Sequence, residues 1–262
     1  MSVPRLTLDN VTVEYGRLRA VDRVSLSAFP GETIALLGAN GAGKSSLLQA
    51  VAGAVPPREG RVLLDGQDVS RLPVHRRARS GLVLVPEGRG LLPRLSVVEN
   101  MRLAAFGVGL RRNSAEVRTR IDEAISPFPV LARRLNQPAG TLSGGEQQML
   151  VIARALVTRP VALLLDEVSL GLAPTVVEQI YAILKDLAAE GLTMVLVEQY
   201  ANLALGMAQR AFVLRKGQIV FAGSGAEGLA DPEALHRAYL GSEQGTATAS
   251  CAVESPPSPA AC

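Results

Sequence analysis

Three segments carry residue types and spacings suited to chemistry: residues 38–45 read GANGAGKS, 142–147 read LSGGEQ and 163–167 read LLLDE. The first fits G-x-x-x-x-G-K-[ST], in which successive backbone N–H groups turn inward around phosphates and the lysine neutralises the terminal ones. Gly38, Asn40, Gly41, Gly43, Lys44, Ser45 and the adjoining Ser46 are therefore expected to bind a nucleotide triphosphate, with the Ser45 hydroxyl on Mg²⁺. In LLLDE an apolar run ends in two acids. Placed beside the phosphates, Asp166 would hold Mg²⁺ through water, and Glu167 would orient or deprotonate the attacking water. The plain alternative is a strand that ends in solvated acids. In LSGGEQ, Ser143, Gly144 and Gly145 open an amphipathic helix and make an N–H-rich helix start suited to an anion. The chain already has one such site, so these three are expected to serve a nucleotide held by another subunit. Alone, they would read equally well as an ordinary turn into a helix.

The elements that must position these residues can be read from apolar periodicity. Leu6, Leu8, Val11 and Val13, then Val24 and Leu26, predict an N-terminal antiparallel strand group. Residues 33–37 (TIALL) form a short continuous apolar run, as expected for a strand buried on both faces. The glycine-rich loop follows, and 45–53 reads as the helix leaving it, whose dipole adds to the phosphate site. Further buried strands are predicted at 81–85, 161–165 and 193–197. Between the last two, Val176, Val177, Ile180, Ile183, Leu184 and Leu187 share one helical face, which makes a βαβ crossover. The expected core is thus a mainly parallel sheet covered by helices. From about 91 to 137 strand signals vanish, within a segment of about 91–143 between core elements. Ser96 with Glu99 is a capping-box signature, and Val117, Ile121 and Ile125 mark another helix, so a helical lobe is expected inside the α/β core. A further helix at roughly 145–157 leads back to the core.

Bulk properties narrow the partners. With 262 residues, 48% hydrophobic, the chain can bury a substantial core. No apolar run approaches the roughly 20 residues that span a bilayer, and no basic-then-apolar leader opens the sequence. The expected place of work is the cytosol or a membrane's cytosolic side. Net charge is +3, too small a field to hold a nucleic-acid backbone, and with four Tyr, five Phe and no Trp, stacking platforms for bases are scarce. Nucleic acid is not expected as a partner. Arginines cluster at Arg76, Arg77 and Arg79 and at Arg111 and Arg112. They read as a solvated face, or as contacts to an acidic protein loop or phospholipid. Both cysteines, Cys251 and Cys262, fall in the last stretch, outside any stapling or metal-ligating pattern. Residues 243–262 hold almost no large apolar groups, and a disordered tail is expected there.

Taken in order, phosphate loop, LSGGEQ and LLLDE resemble the ATP-binding subunit of an ATP-binding cassette (ABC) transporter over residues 3 to about 240. The resemblance implies the P-loop NTPase fold, ATP with Mg²⁺ as cofactors, and a head-to-tail pair of cassettes. Two ATP molecules would lie between one subunit's phosphate loop and the other's Ser143–Gly145 segment. Tyr15 would stack on adenine, the alternative being a half-buried strand tyrosine.

Three departures narrow the resemblance. Glu87, within VPEGR at 85–89, stands where the family usually has glutamine. Glu198-Gln199 follows the strand where a switch histidine is usual, and Ala173, in SLGLAP at 169–174, takes the place of an aspartate. These features are similar to LivF-type subunits of branched-chain amino-acid importers, with the urea and short-chain amide importers still open. Gln199 would sense the γ-phosphate by hydrogen bonding without taking up a proton. Glu87 can add an oxygen ligand to Mg²⁺, its role depending on the metal. Ala173 weakens symmetric communication, so the expected mate is a different, LivG-like ATPase. The assembly would include two membrane permeases and, indirectly, an external solute-binding protein, with this chain peripheral on the cytoplasmic face. Among the rivals, a solitary kinase or GTPase leaves LSGGEQ unexplained. Non-transport ABC ATPases would show coiled-coil heptads or a second cassette, and an iron–sulfur assembly ATPase would lack the LivF-like features.

Overall fold

The computed structural model describes residues 3–111, 114–198 and 201–225; Arg112, Gln199 and the expected tail at 243–262 lie outside the described residues. Strands β1 (Leu6–Tyr15) and β2 (Leu18–Ala28) pair antiparallel, from Leu6 opposite Ala28 to Tyr15 opposite Leu18. Strand β3 (Thr33–Leu37) is buried throughout and leads through the glycine-rich loop into helix α1 (Lys44–Ala52). Strands β4 (Glu59–Leu64) and β5 (Gln67–Asp68) extend the hairpin into a four-stranded sheet ordered β2-β1-β4-β5. The sequence reading missed both, because β4 presents Val62 and Leu64 as its buried residues in an otherwise polar segment.

Helix α2 (Val74–Arg79) corrects one reading. Arg77 is 1% exposed, and its guanidinium donates to the carbonyls of Leu72 (2.9 Å), Ala50 (2.7 Å), Val51 (2.6 Å) and Ser70 (2.6 Å). Two of these acceptors are the carbonyls that end α1. A helix C-terminus exposes carbonyl oxygens and a partial negative charge, and Arg77 satisfies both needs, so it is a structural clamp rather than a solvated or partner-facing cation.

Strand β6 (Leu82–Val85) precedes three helices: α3 (Val97–Gly107), α4 (Ala115–Ile125) and α5 (Pro129–Ala132). Ser96 starts α3 with a full capping box: its hydroxyl accepts from the Glu99 N–H at 3.3 Å, and the Glu99 carboxylate accepts from the Ser96 N–H at 2.8 Å. Helix α6 (Gly144–Leu156) returns to β7 (Ala162–Asp166), α7 (Pro174–Ala189) crosses to β8 (Thr193–Val197), and α8 (Ala201–Leu205) precedes the antiparallel hairpin of β9 (Arg210–Arg215) and β10 (Gln218–Ser224). The six-stranded sheet runs β10-β9-β3-β8-β7-β6, parallel except at β10.

Period-two alternation explains why the central strands are apolar without interruption. Ile34, Leu36, Leu164, Val195 and Val197 face one core, shared with α1 and the antiparallel sheet. Ala35, Leu37, Leu163, Leu165, Met194 and Leu196 face the other, shared with α6, α7 and helices α3 to α5. Strands β3, β7 and β8 are therefore held from both sides, and their C-terminal ends carry the chemistry.

Candidate nucleotide-binding site

The loop after β3 can turn as it does because of its glycines. Gly38 has φ 154°, and a Cβ there would lie 2.3 Å from the Leu214 carbonyl oxygen. Gly43, at φ 104°, would bring a Cβ to 2.2 Å from the Ala20 carbonyl oxygen. No side chain fits at either position, so the backbone passes close to its neighbours and α1 starts at Lys44 with its N–H groups turned toward the loop.

Lys44 is 5% exposed. Its ammonium donates to the Gly38 carbonyl at 2.8 Å and the Ala39 carbonyl at 3.3 Å, and lies 3.5 Å from a Glu167 carboxylate oxygen. The next residue, Ser45, donates its hydroxyl to Asp166 at 3.1 Å, which joins the start of α1 to the end of β7. Burial pushes the Asp166 carboxyl up to about 6; the Ser45 hydrogen bond opposes this, the charges of Glu167 and Glu87 add to it, and Lys44 opposes it. Three carboxylates therefore gather around a site whose buried cation is Lys44.

That donor set suits Mg²⁺. Among the described residues no cluster of three metal-ligating side chains is preformed, yet Mg²⁺ normally takes one or two protein oxygens and completes its octahedron with water and substrate phosphate. Ser45 Oγ and Asp166 are two adjacent oxygens placed beside the phosphate loop, and added positive charge would counter the burial and, to a lesser degree, the neighbouring acids that raise the Asp166 carboxyl.

Glu167 follows at φ 47°, in the left-handed region that few residues other than glycine adopt. Its N–H donates to the Val197 carbonyl at 2.9 Å, and its own carbonyl accepts from the Leu170 N–H at 3.2 Å. An open cavity of about 700 Å³ runs past these groups, lined among others by Tyr15, Asn40, Gly41, Gly43, Lys44 and Ser46. Glu87 and Glu167 border it too, as do Arg19 and Lys216, two cations that sequence reasoning did not single out. Tyr15 is 43% exposed at the rim, and its hydroxyl donates to Gln49 at 3.3 Å.

Ser143, Gly144 and Gly145 sit elsewhere. None of them lines the cavity around Lys44. Ser143 is the N-cap of α6, accepting from the Glu146 N–H at 3.3 Å while its own N–H donates to the Glu146 carboxylate at 2.9 Å. A Cβ on Gly145 would lie 2.4 Å from Val176 Cγ1, so that glycine lets α6 and α7 approach. Helix α6 is tied to the loop that carries Glu87 near both of its ends: Arg89 donates to Gln147 in the first turn at 2.8 Å, and Arg154 in the last turn donates to the Gly90 carbonyl at 2.6 Å.

Gln199 lies outside the described residues, but Glu198 does not. It is 1% exposed, and its carboxylate accepts from the Ser169 hydroxyl (2.7 Å), the Ser169 N–H (3.3 Å) and the Tyr181 hydroxyl (2.8 Å). Burial pushes its carboxyl up, the hydrogen bonds from Ser169 and Tyr181 oppose that, and the Glu167 charge adds to it. The signal was available in the sequence: an acid directly after an apolar run, Met194 to Val197, the arrangement that marked Asp166.

A phosphate loop, a strand-end acid pair and a two-sheet α/β core define an ATP-binding cassette, and the family model described as ABC transporter matches residues 21–169. The chain belongs to the ABC transporter family and is an ATPase. It is 43% identical over 236 residues to the high-affinity branched-chain amino acid transport ATP-binding protein BraG of Pseudomonas aeruginosa, covering 90% of this chain and 99% of BraG. It is 38% identical to a probable branched-chain amino acid transport ATP-binding protein LivF of Archaeoglobus fulgidus (87% and 94% covered), and 34% identical to the lipopolysaccharide export ATP-binding protein LptB of Haemophilus influenzae (91% and 98%). Among solved structures, the ADP conformation of the ABC transporter cassette MJ1267 superimposes with a TM-score of 0.82 at 25% identity, covering 92% of this chain and all of that one. The dimeric cassette MJ0796 gives a TM-score of 0.74 at 29% identity, covering 84% and 98%.

Proposed function

We propose that this chain powers import of branched-chain amino acids as one of two ATPase subunits on the cytoplasmic face of the inner (plasma) membrane. The observation that carries the solute class is its similarity to BraG over 90% of this chain and 99% of that protein, and VPEGR, SLGLAP and VEQ agree with it. Two membrane permeases and, indirectly, an external solute-binding protein complete the assembly. Consistent with a peripheral subunit, no helix among the described residues is long and apolar enough to cross a membrane.

In this reading ATP lies along the cavity with its adenine on Tyr15 and its phosphates against the N–H groups of Gly38 to Ser46. Without nucleotide, Lys44 rests on two loop carbonyls and on Glu167. Arriving phosphates draw the ammonium away and leave Glu167 free to accept a proton from the attacking water. Ser45 and Asp166 would hold Mg²⁺, with Glu87 as a further oxygen; when bound, the metal supplies charge neutralisation to the phosphoryl oxygens. Gln199 hydrogen-bonds the γ-phosphate. Ser143, Gly144 and Gly145, remote from this chain's own cavity, complete the site of a head-to-tail mate, a LivG-like ATPase.

The test is transport. The chain would be co-produced with its neighbouring permeases, partner ATPase and binding protein, and uptake measured in vesicles. ATP-dependent leucine uptake that stops with Glu167→Gln is expected; uptake of urea or a short amide in place of leucine would overturn the solute class.

A further inference from the structure

Glu167, at φ 47°, occupies a backbone conformation that is strained for a residue with a side chain and persists only where its surroundings over-determine it. Two residues of β8's end do that here. Val197 accepts from the Glu167 N–H at 2.9 Å, and the adjacent Glu198 grips the hydroxyl and the N–H of Ser169, two residues beyond Glu167. Between those holds the turn closes on itself through the Leu170 N–H to Glu167 carbonyl bond at 3.2 Å.

Glu198 also reaches a third element. The hydroxyl of Tyr181, a 5% exposed residue of α7, donates to the same carboxylate at 2.8 Å. A buried carboxylate needs such donors, because an unsatisfied one would lose its solvation without compensation. One side chain thus joins the end of β8, the turn after β7 and the crossover helix. Simple packing does not need a polar side chain here, since Met would fill the volume; an acceptor for the Ser169 and Tyr181 donors is what the turn requires.

We propose that Glu198 is a positioning residue for hydrolysis: by clamping Ser169 and Tyr181 it holds Glu167 in its left-handed turn, at the place where the water must be polarised. The proposal rests on the reading of Glu167 as the group that polarises the water. Glu198 does not touch the nucleotide cavity, so its loss should spare binding and strike turnover. Misplacing a base by about 1 Å can cost about a hundredfold in rate.

The experiment measures ATP binding and turnover per bound nucleotide in the assembled transporter, for Glu198→Ala, Glu198→Gln, Ser169→Ala, Tyr181→Phe and, as a reference, Glu167→Gln. Expected are an ATP affinity within about twofold of wild type throughout and turnover per bound ATP down about tenfold or more in Glu198→Ala and Ser169→Ala. Glu198→Gln, which keeps an acceptor, should recover most of the rate. Should Glu198→Ala fail to fold, Ser169→Ala and Tyr181→Phe, each removing one hydroxyl, decide the matter. Turnover per bound ATP unchanged in Ser169→Ala and in the folded Glu198 variant overturns the proposal, as does a parallel loss of binding and turnover. If Glu167→Gln itself turns over normally, the underlying reading of Glu167 fails; if it collapses while the Glu198 and Ser169 variants do not, this inference alone fails.

Discussion

Replacing Arg77 by methionine keeps the unbranched apolar stem of the side chain and removes every donor. Four carbonyls are then affected, and of these Ala50 keeps a bond from the Gly53 N–H at 3.2 Å. Three buried acceptors, at Val51, Ser70 and Leu72, lose the guanidinium. A buried polar group left unpaired costs about 1–3 kcal/mol, and the desolvation of the charge that the substitution relieves offsets the upper part of that range. Burial already holds the Arg77 guanidinium below its ordinary value, which shows the direction of that offset. A net loss of about 3 kcal/mol follows, and at about 2–4 °C per kcal/mol for a chain of this size the melting midpoint should fall by about 6–12 °C. Differential scanning calorimetry of the nucleotide-free protein reads it directly. Because Arg77 ends α1 and Lys44 begins it, ATP should restore part of the lost midpoint by binding the folded state alone. A shift under about 2 °C would mean that the cation is solvated, as its neighbours in the RRAR run suggest from sequence.

Three further outcomes follow from the site. Glu167→Gln should retain ATP binding while turnover falls by about 10²–10⁴, whereas Lys44→Ala should lose both; equilibrium binding and phosphate release on the same samples separate the two. In the nucleotide-free protein the Asp166 carboxyl is raised from 3.8 to about 6, so the folded state binds its proton more tightly than the unfolded state. The stability this group contributes is present below pH 3.8 and lost as pH rises through about 6. Relative to wild type, Asp166→Asn should therefore gain on the order of 1 kcal/mol between about pH 5 and pH 8, read by denaturant titration, and an identical pH dependence in the two proteins would refute it. Gly145→Ala sets a Cβ against Val176 and should cost about 1–3 kcal/mol by overpacking. Val176→Ala in the same chain should recover most of that, and simple additivity of the two changes would argue against the contact.

Much of the fold was legible because burial on both faces writes itself into sequence. The runs at 33–37, 161–165 and 193–197 became β3, β7 and β8 within a residue, and Ser96 with Glu99 marked a capping box that closes in three dimensions. What escaped was mostly half-exposed structure, together with β9, a short buried run enclosed by Arg210 and Arg215. Strand β10 alternates partly covered residues with solvent-facing ones, and β4 is exposed over its first half and covered over its second, where it pairs with the distant β1. Arg77 escaped for the opposite reason: a cation in a basic run gives no local hint that carbonyls of another helix will surround it. At the site, the phosphate loop and the acids at 166 and 167 were legible because their chemistry demands adjacent residues. Glu198 was passed over because its partners, Ser169 and Tyr181, come from segments 29 and 17 residues away, and the neighbouring Gln199 drew the attention.

The central claim is that each triphosphate is shared between the phosphate loop of one cassette and the serine-glycine-glycine start of α6 in the other. Its most direct test is a cryo-electron microscopy structure of the ATP-loaded transporter carrying Glu167→Gln. The account predicts ATP phosphates within about 3 Å of Lys44 on this chain, and Ser143, Gly144 and Gly145 at similar distance from the mate's nucleotide. Phosphates bound at Lys44 with the α6 start facing solvent or another surface would contradict it.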